Sequence, residues 1–337
     1  TYTLAPLNEE TGTDYLSYDE GPKEVSAVTY FESALNWVRS FEDKHDVGGL
    51  LVFTMRNELK GNAGDLQKSL PYRNLNLAGR VTYAYDFRYL FEGNLGYNGS
   101  ERFSNTERFG FFPSAGIGWV ISNESFYGEG LRKIVNNLKL KSTYGLSGND
   151  AIGTADDRFF YLSNVNMNSD EHRSWFGTLG NSVDRNAKKG ISVYRYANEL
   201  ITWETSRKFN LTAEIGLLKM IDIQAEYFRE DRSNILMDRA SIPSTMGLQA
   251  GTRSNVGKAF SHGTDISVNL NHSFNKDAWI SGMANFTFAK SEFKVYEEPD
   301  YPDAPWKSHV GYQIKQEWGY RAGRLFVGEK EVRNSPV

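Results

Sequence analysis

The chain of 337 residues contains no cysteine, which excludes a disulfide-stapled scaffold and any thiolate metal centre. It has no long apolar run. The longest, at 48–55, falls well short of the ~20 residues a transmembrane helix needs. Charge of one sign is also scarce: the formal net charge is −4, and lysines and arginines are dispersed without a block that could track a phosphate backbone, so nucleic acid is not an expected partner. There is no GxSxG, P-loop, GxGxxG or HExxH, and the five histidines (His45, His172, His262, His272, His309) are scattered, so no enzyme is expected. The opening TYTLAPLNEE carries neither a basic nor an apolar segment of the kind that targets export; an exported protein would have its true start upstream.

Aromatic residues, by contrast, are abundant. They reach 14% (19 Tyr, 21 Phe, 7 Trp) in a chain whose mean hydropathy is only −0.53. Rings in a hydrophilic chain suit a boundary between apolar and aqueous phases better than a large dry core.

Residues 75–98 show how the rings are arranged. Leu75, Leu77, Val81, Tyr83 and Tyr85 share one parity, and Asn76, Ala78, Arg80, Thr82, Ala84 and Asp86 the other. After a turn at Asp86, Phe87 and Arg88, Tyr89, Phe91, Leu95 and Tyr97 alternate with Glu92, Asn94 and Asn98. Two strands of that length with one apolar and one polar face describe a hairpin with lipid outside and water inside.

The same alternation predicts strands at 25–41, 47–59, 113–121, 138–146, 207–218, 221–229, 262–274 and 279–290. Weaker signals place strands at 158–165 and 191–201, and a helical turn near 130–135. Tight turns (42–46, 86–88, 219–220, 275–277) alternate with longer polar loops (60–74, 99–108, 230–258). About a dozen antiparallel strands so connected predict an all-β fold, an antiparallel transmembrane β-barrel with short periplasmic turns and long extracellular loops. A soluble all-β module, for example one that binds glycans, is the alternative, but it predicts strands nearer ~5–6 residues.

Rings near strand ends (Trp37, Tyr85, Tyr89, Tyr97, Trp119, Phe209, Tyr227, Phe274, Trp279) are expected to form the interfacial belts. Trp175, Phe176, Tyr194, Tyr196 and Trp203, in the predicted outward loops, are candidates for stacking on a ligand such as a sugar. The loop 148–157 offers Asp150, Asp156 and Asp157 as a Ca²⁺ candidate, although it lacks the acid spacing and closing Glu of an EF-hand. No cofactor is otherwise expected.

Several motifs carry a family resemblance: GRVTYAYDFRYLFEGNLGYNGSERF (79–103), RFGFFPS (108–114), GWVISNESF (118–126) and NNLKLKSTYGLSGND (136–150). TWE (202–204), NVGKAFSHGTDISVNL (255–270), PW (305–306), GYQIKQEWGY (311–320) and NSP (334–336) continue it in order. With these the chain resembles the barrel of SusC-like (RagA-like) TonB-dependent transporters of the Bacteroidetes outer membrane; residues 151–201 match poorly.

The resemblance implies nutrient uptake: import of oligosaccharides or oligopeptides, a SusD-like surface lipoprotein as partner, and TonB acting through parts outside this chain. It also implies a 22-stranded barrel, of which residues 25–290 would supply a central arc. Residues 1–24 would be a loop, and 291–337 an extended region leading to further strands. No signal peptide, plug or TonB-contacting segment is recognised in this chain. Such an arc would carry two unpaired edges, so it is expected to need partner strands.

Overall fold

The computed structural model describes residues 21, 23–64, 66–153, 157–176, 187–320 and 323–335. The predicted loop at 1–24 therefore lies almost wholly outside the described residues, as does Asp156.

Strands dominate. In chain order they are β1 (Ser26–Phe41), β2 (His45–Lys60), β3 (Tyr72–Tyr85), β4 (Tyr89–Ser100), β5 (Phe109–Val120) and β6 (Val135–Asn149). They continue with β7 (Asn164–Trp175), β8 (Ala187–Arg195), β9 (Glu204–Leu217), β10 (Ile221–Asp238), β11 (Arg253–Ser273) and β12 (Trp279–Val295). Ten of them form one antiparallel sheet in the order β1-β2-β3-β4-β5-β6-β9-β10-β11-β12, while β7 and β8 pair only with each other.

Register gives the sheet its two faces. Leu35 pairs with Leu51, Leu51 with Gly79, Gly79 with Leu95, and Leu95 with Pro113. Across the second half, Leu138 pairs with Ile215, Ile215 with Ile223, Ile223 with Val268, and Val268 with Ala284. No strand slips by one residue over this stretch, so the apolar parity stays on one face throughout. The opposite face carries Thr54, Arg80, Glu92, Lys139, Lys141, Glu214 and Glu226. The exposure of Leu35, Val81, Ile117 and Phe286, each more than half accessible, is what a lipid-facing wall requires.

The tight hairpins share one turn geometry. Glu42 and Asp43, Asp86 and Phe87, and Leu218 and Lys219 all have φ between 49° and 55°. In each the amide two residues further on is closed by a carbonyl: Lys44 N to Phe41 O at 3.1 Å, Arg88 N to Tyr85 O at 2.9 Å, and Met220 N to Leu217 O at 2.9 Å. Two consecutive left-handed residues make the type I′ turn, whose twist matches that of the flanking strands.

The predicted helical turn near 130–135 is the short helix Glu129–Ile134. Three expectations need correction. No strand covers 158–163; that stretch is loop, and the strand begins at Asn164. The predicted 191–201 strand ends at Arg195. Register breaks at three places in the β7–β8 ladder, so no clean alternation marks its limits.

The third correction is to the long loop at 230–258. β10 continues to Asp238 and β11 starts at Arg253, leaving a loop of 239–252. Asn234, at φ 58°, sits in a bulge between Arg232 and Ile235. A second register shift, between Ile235 and Leu236, follows at once, so the ladder is irregular here while pairing continues, which hides the strand from a period-two reading.

Trp37 stands four residues inside β1 from its turn, as Val81 does in β3, so it is mid-wall and not at a strand end. Tyr85 and Tyr89 flank their turn with ring centroids 6.4 Å apart, and Tyr89 pairs with Trp119. Trp279 opens β12 beside the 274–278 turn, with Phe274 across it. Tyr97 stacks on Phe109 at 5.1 Å towards the long-loop end. Phe209 and Tyr227 stand where the apolar rows of β9 and β10 give way to Arg207 and Arg229.

Val81 is thus midway between two aromatic levels, and its neighbour Thr82 faces the other way. Val81→Arg is expected to cost about 2–4 kcal/mol and Thr82→Arg far less. Denaturant titration of the protein folded in bilayers measures both, and equal costs would reject the assignment of faces.

Candidate functional site

The polar face of the wall is an ordered ionic surface. Arg80 and Glu92, opposite in chemistry on adjacent strands, approach to 2.5 Å, and Asn94 donates to the same carboxylate at 2.9 Å. Glu214 accepts Lys139 at 3.8 Å and also bonds Lys141; Thr212 donates to Glu226 at 3.0 Å. Glu92, Asn94, Lys139, Lys141 and Thr143 line a cavity of about 700 Å³ on this face. Such paired charges hold side chains upright on the polar face without a large net field.

At the long-loop end a compact cap closes over the wall. Its core is Phe103, Phe112, Ile152, Phe160, Ile201 and Trp203. Trp203 lies 5.3 Å from Phe103 and 5.4 Å from Phe112, ring to ring. Gly148 admits the Phe112 ring, which comes within 1.9 Å of where a Cβ would be.

Arginines stitch the loops round this core. Arg158 donates to the carbonyls of Leu70 and Pro71, both at 3.0 Å, and stacks over Tyr72 and Phe159. Arg102 donates to Ile152 O at 3.0 Å; Arg195 reaches Gln67 Oε1 at 2.9 Å and Leu162 O at 3.2 Å. Arg253 grips both oxygens of Asp157 at 2.8 Å. Asn255 ties the two late motifs together: it accepts the Thr202 amide at 3.0 Å and donates to Thr202 O at 2.9 Å. Burial pushes the Arg158 guanidinium below its usual range, consistent with a structural, carbonyl-bound role.

The predicted ligand-stacking residues separate into two groups. Trp175, Phe176 and Tyr194 are exposed at or beside the β7–β8 hairpin, with the Arg173 guanidinium 6.0 Å over the Trp175 ring. Tyr196 is half-buried, its hydroxyl accepting the Gln249 amide at 3.2 Å. Trp203 is only 7% exposed and belongs to the cap core, so its place as a ligand contact is withdrawn. The predicted Ca²⁺ residues are not brought together. Asp157 is held by Arg253, while Asp150 accepts Ser100 Oγ at 2.7 Å. Among the described residues no three acids or histidines converge.

The short-turn rim holds a group that the alternation pattern does not reveal. Glu124, 6% exposed, follows a 3₁₀ turn at Ile121–Asn123. It accepts Trp119 Nε1 at 2.9 Å and Arg88 at 3.2 Å, and Arg88 also bonds Asp86 at 2.6 Å. Hydrogen bonds from Tyr89 and Trp119, with Arg88, hold the Glu124 carboxyl below its ordinary pKa. A carboxylate whose pKa is depressed by folding stabilises the fold fully above its unfolded pKa and loses that contribution as pH falls through the lowered value.

Two outcomes follow from this geometry. Glu124→Gln should lower the unfolding temperature at neutral pH, and the gap from the parent should close as pH drops below the usual carboxylate range, about 4.3. A pH-independent gap would show that the charge is not what Glu124 contributes. At the cap, Trp203→Ala should cost about 3–5 kcal/mol. Trp203→Phe should cost clearly less, because the buried Nε1 has no hydrogen-bond partner among the described residues to lose. Chemical-denaturant curves of both variants decide this.

Comparison with known proteins agrees with the geometry. Residues 3–335 match the family described as TonB dependent receptor-like, beta-barrel. The TonB-dependent receptor SusC of Bacteroides thetaiotaomicron is 29% identical over 258 residues, 74% of this chain and 24% of that protein. TonB-dependent receptor P39 of Formosa agariphila is 23% identical over 331 residues, 90% of this chain and 30% of that protein. The RagAB peptide importer in its closed-closed state superposes with a TM-score of 0.64 at 20% identity, covering 86% of this chain and 33% of that one. The chain thus spans a quarter to a third of the length of these relatives. It belongs to the TonB-dependent receptor-like β-barrel family of the outer membrane, and within it is similar to SusC and to RagAB.

Proposed function

We propose that this chain forms part of the barrel wall of an active importer that takes up oligosaccharides or oligopeptides with a SusD-like surface lipoprotein, TonB supplying the drive through other parts of the protein. The observation that carries the reading is the joint placement of a charge-paired lumen face and exposed rings above it. The wall offers a passage lined by Arg80, Glu92, Lys141 and Glu214. The β7–β8 hairpin stands apart from the main sheet and presents Trp175, Phe176 and Tyr194. Flat rings stack on the apolar faces of sugars and on peptide side chains alike. RagAB, a similar fold, is a peptide importer, and SusC is a TonB-dependent receptor. A soluble glycan-binding module has no use for an apolar outer face sustained over ten strands.

The family is one of receptors and transporters, and the wall acts by selection and passage without bond-making. The cap gives this division a physical basis. Its arginines are consumed by carbonyls and Asp157, which leaves the hairpin rings as the free recognition surface.

Replacing Trp175, Phe176 and Tyr194 together by Ala should weaken cargo binding by at least about tenfold, given about 0.5–1.5 kcal/mol per ring contact. Heat-modifiable gel mobility of the barrel should be unchanged. Titration calorimetry of the full-length protein with oligosaccharide and with oligopeptide pools reads the first. Unaltered affinity for every pool would remove the hairpin from the binding surface. Co-purification of a SusD-like lipoprotein with the tagged full-length protein tests the partner.

A further inference from the structure

The lipid-facing side of β9–β12 changes character abruptly above its apolar rows. Below, Leu211, Tyr227, Ile266 and Phe288 face outward, each more than a third exposed. In the next rows, on the same face, stand Arg207, Arg229, Lys258 and Lys294. Register supports the grouping: Phe209 is opposite Arg229, and Asp231 is opposite both Arg207 and Phe260. All four cations line one outer hollow of about 740 Å³.

Two of the cations are fixed in place. Arg229 bonds Asp231 at 2.9 Å and lies 5.0 Å over the Phe260 ring; Lys294 reaches Asp231 at 3.2 Å and sits 4.5 Å over the same ring. Arg207 and Lys258 have no carboxylate partner among the described residues. Among the lining residues these four cations and Arg232, the last paired with Glu204, meet the single carboxylate Asp231, an excess of positive charge in a hollow at the upper limit of the apolar band; Glu292, opposite Phe260 on the same face, is paired with Lys290.

The long loops lie on the extracellular side of such a barrel, so this hollow is level with the headgroups of the outer leaflet. We propose that it binds the phosphate of an anionic glycolipid of that leaflet, its acyl chains lying along Leu211, Tyr227 and Phe288. Arg207 and Lys258 supply the unpaired charge, and Arg229 and Lys294, already oriented by Phe260, complete the cradle. Basic groups near a membrane surface attract anionic lipid, and guanidinium binds phosphate in a fork. The site is independent of the cargo and of the β7–β8 hairpin.

The test uses the full-length protein in phosphatidylcholine nanodiscs doped with monophosphoryl lipid A, with bound lipid counted by native mass spectrometry. The double variant Arg207→Gln/Lys258→Gln should lose roughly thirtyfold in retained glycolipid, as expected from about 1 kcal/mol per basic residue. Arg207→Lys/Lys258→Arg should retain it. Lys219→Gln/Lys276→Gln, which removes equal charge from the opposite rim, should bind like the parent. Lipid A stripped of phosphate should show no preference for the parent over the Gln variant. The proposal is overturned if the Gln variant keeps its glycolipid, or if the dephosphorylated lipid binds equally well. It is also overturned if inorganic phosphate at the same concentration displaces the glycolipid, since a free anion would then be the ligand.

Discussion

The structure depends on one constraint: in hydrocarbon, every backbone N–H and C=O must find its partner within the protein. A ladder of ten antiparallel strands meets it between β1 and β12, and it does so only while the register holds. A slip of one residue anywhere would turn Arg80 or Glu214 into lipid and Val81 or Ile215 into the lumen. The type I′ turns at 42–43, 86–87 and 218–219 bear directly on this. A two-residue connection leaves a hairpin no slack for an alternative pairing. The same constraint explains why β1 and β12 cannot stand alone in a bilayer. Each has a neighbour on one side, and relatives three to four times longer have the chain to cover the other.

What could be read in the residues follows from where that constraint acts alone. Within the bilayer the two sides of a strand face opposite solvents, so 75–98 announces its hairpin, its turn and its faces. Outside the bilayer both sides of a strand meet water or protein, and parity no longer reports anything. The upper parts of β10 and β11 are invisible for that reason, compounded by the Asn234 bulge. The stretch 158–163 looks strand-like because Phe159, Phe160 and Leu162 are apolar. Its rings are apolar for another purpose, since Phe160 fills the cap core.

The site was legible in kind and not in detail. Rings in the outward loops could be picked out, but alternation says nothing of whether a ring packs or projects. Trp203 packs because Thr202 beside it is held on both sides by Asn255, some fifty residues away in the chain. That long-range amide contact gives the TWE and NVGKAF motifs a common physical cause: together they seat one tryptophan under the cap. Glu124 escaped because a buried acid at a rim has no periodic signature; the nearest hint is its position five residues after a belt tryptophan to which it is bonded.

β10 shows how far one strand can serve three environments. Near its turn, Ile223 and Ala225 meet lipid while Gln224 and Glu226 meet the lumen. Higher up, Arg229 and Asp231 keep the outward parity, and ion pairing replaces apolar contact as the source of order. Beyond the two register shifts at Ile235, Leu236 packs against the cap. The alternation of side chains is therefore unbroken up to Arg232, while the chemistry on each side changes with height. On one strand the same alternation thus serves apolar contact, ion pairing and cap packing in turn: Arg229 pairs with Asp231 on the outward side, while Glu230, one residue on, bonds Ser206 on the other.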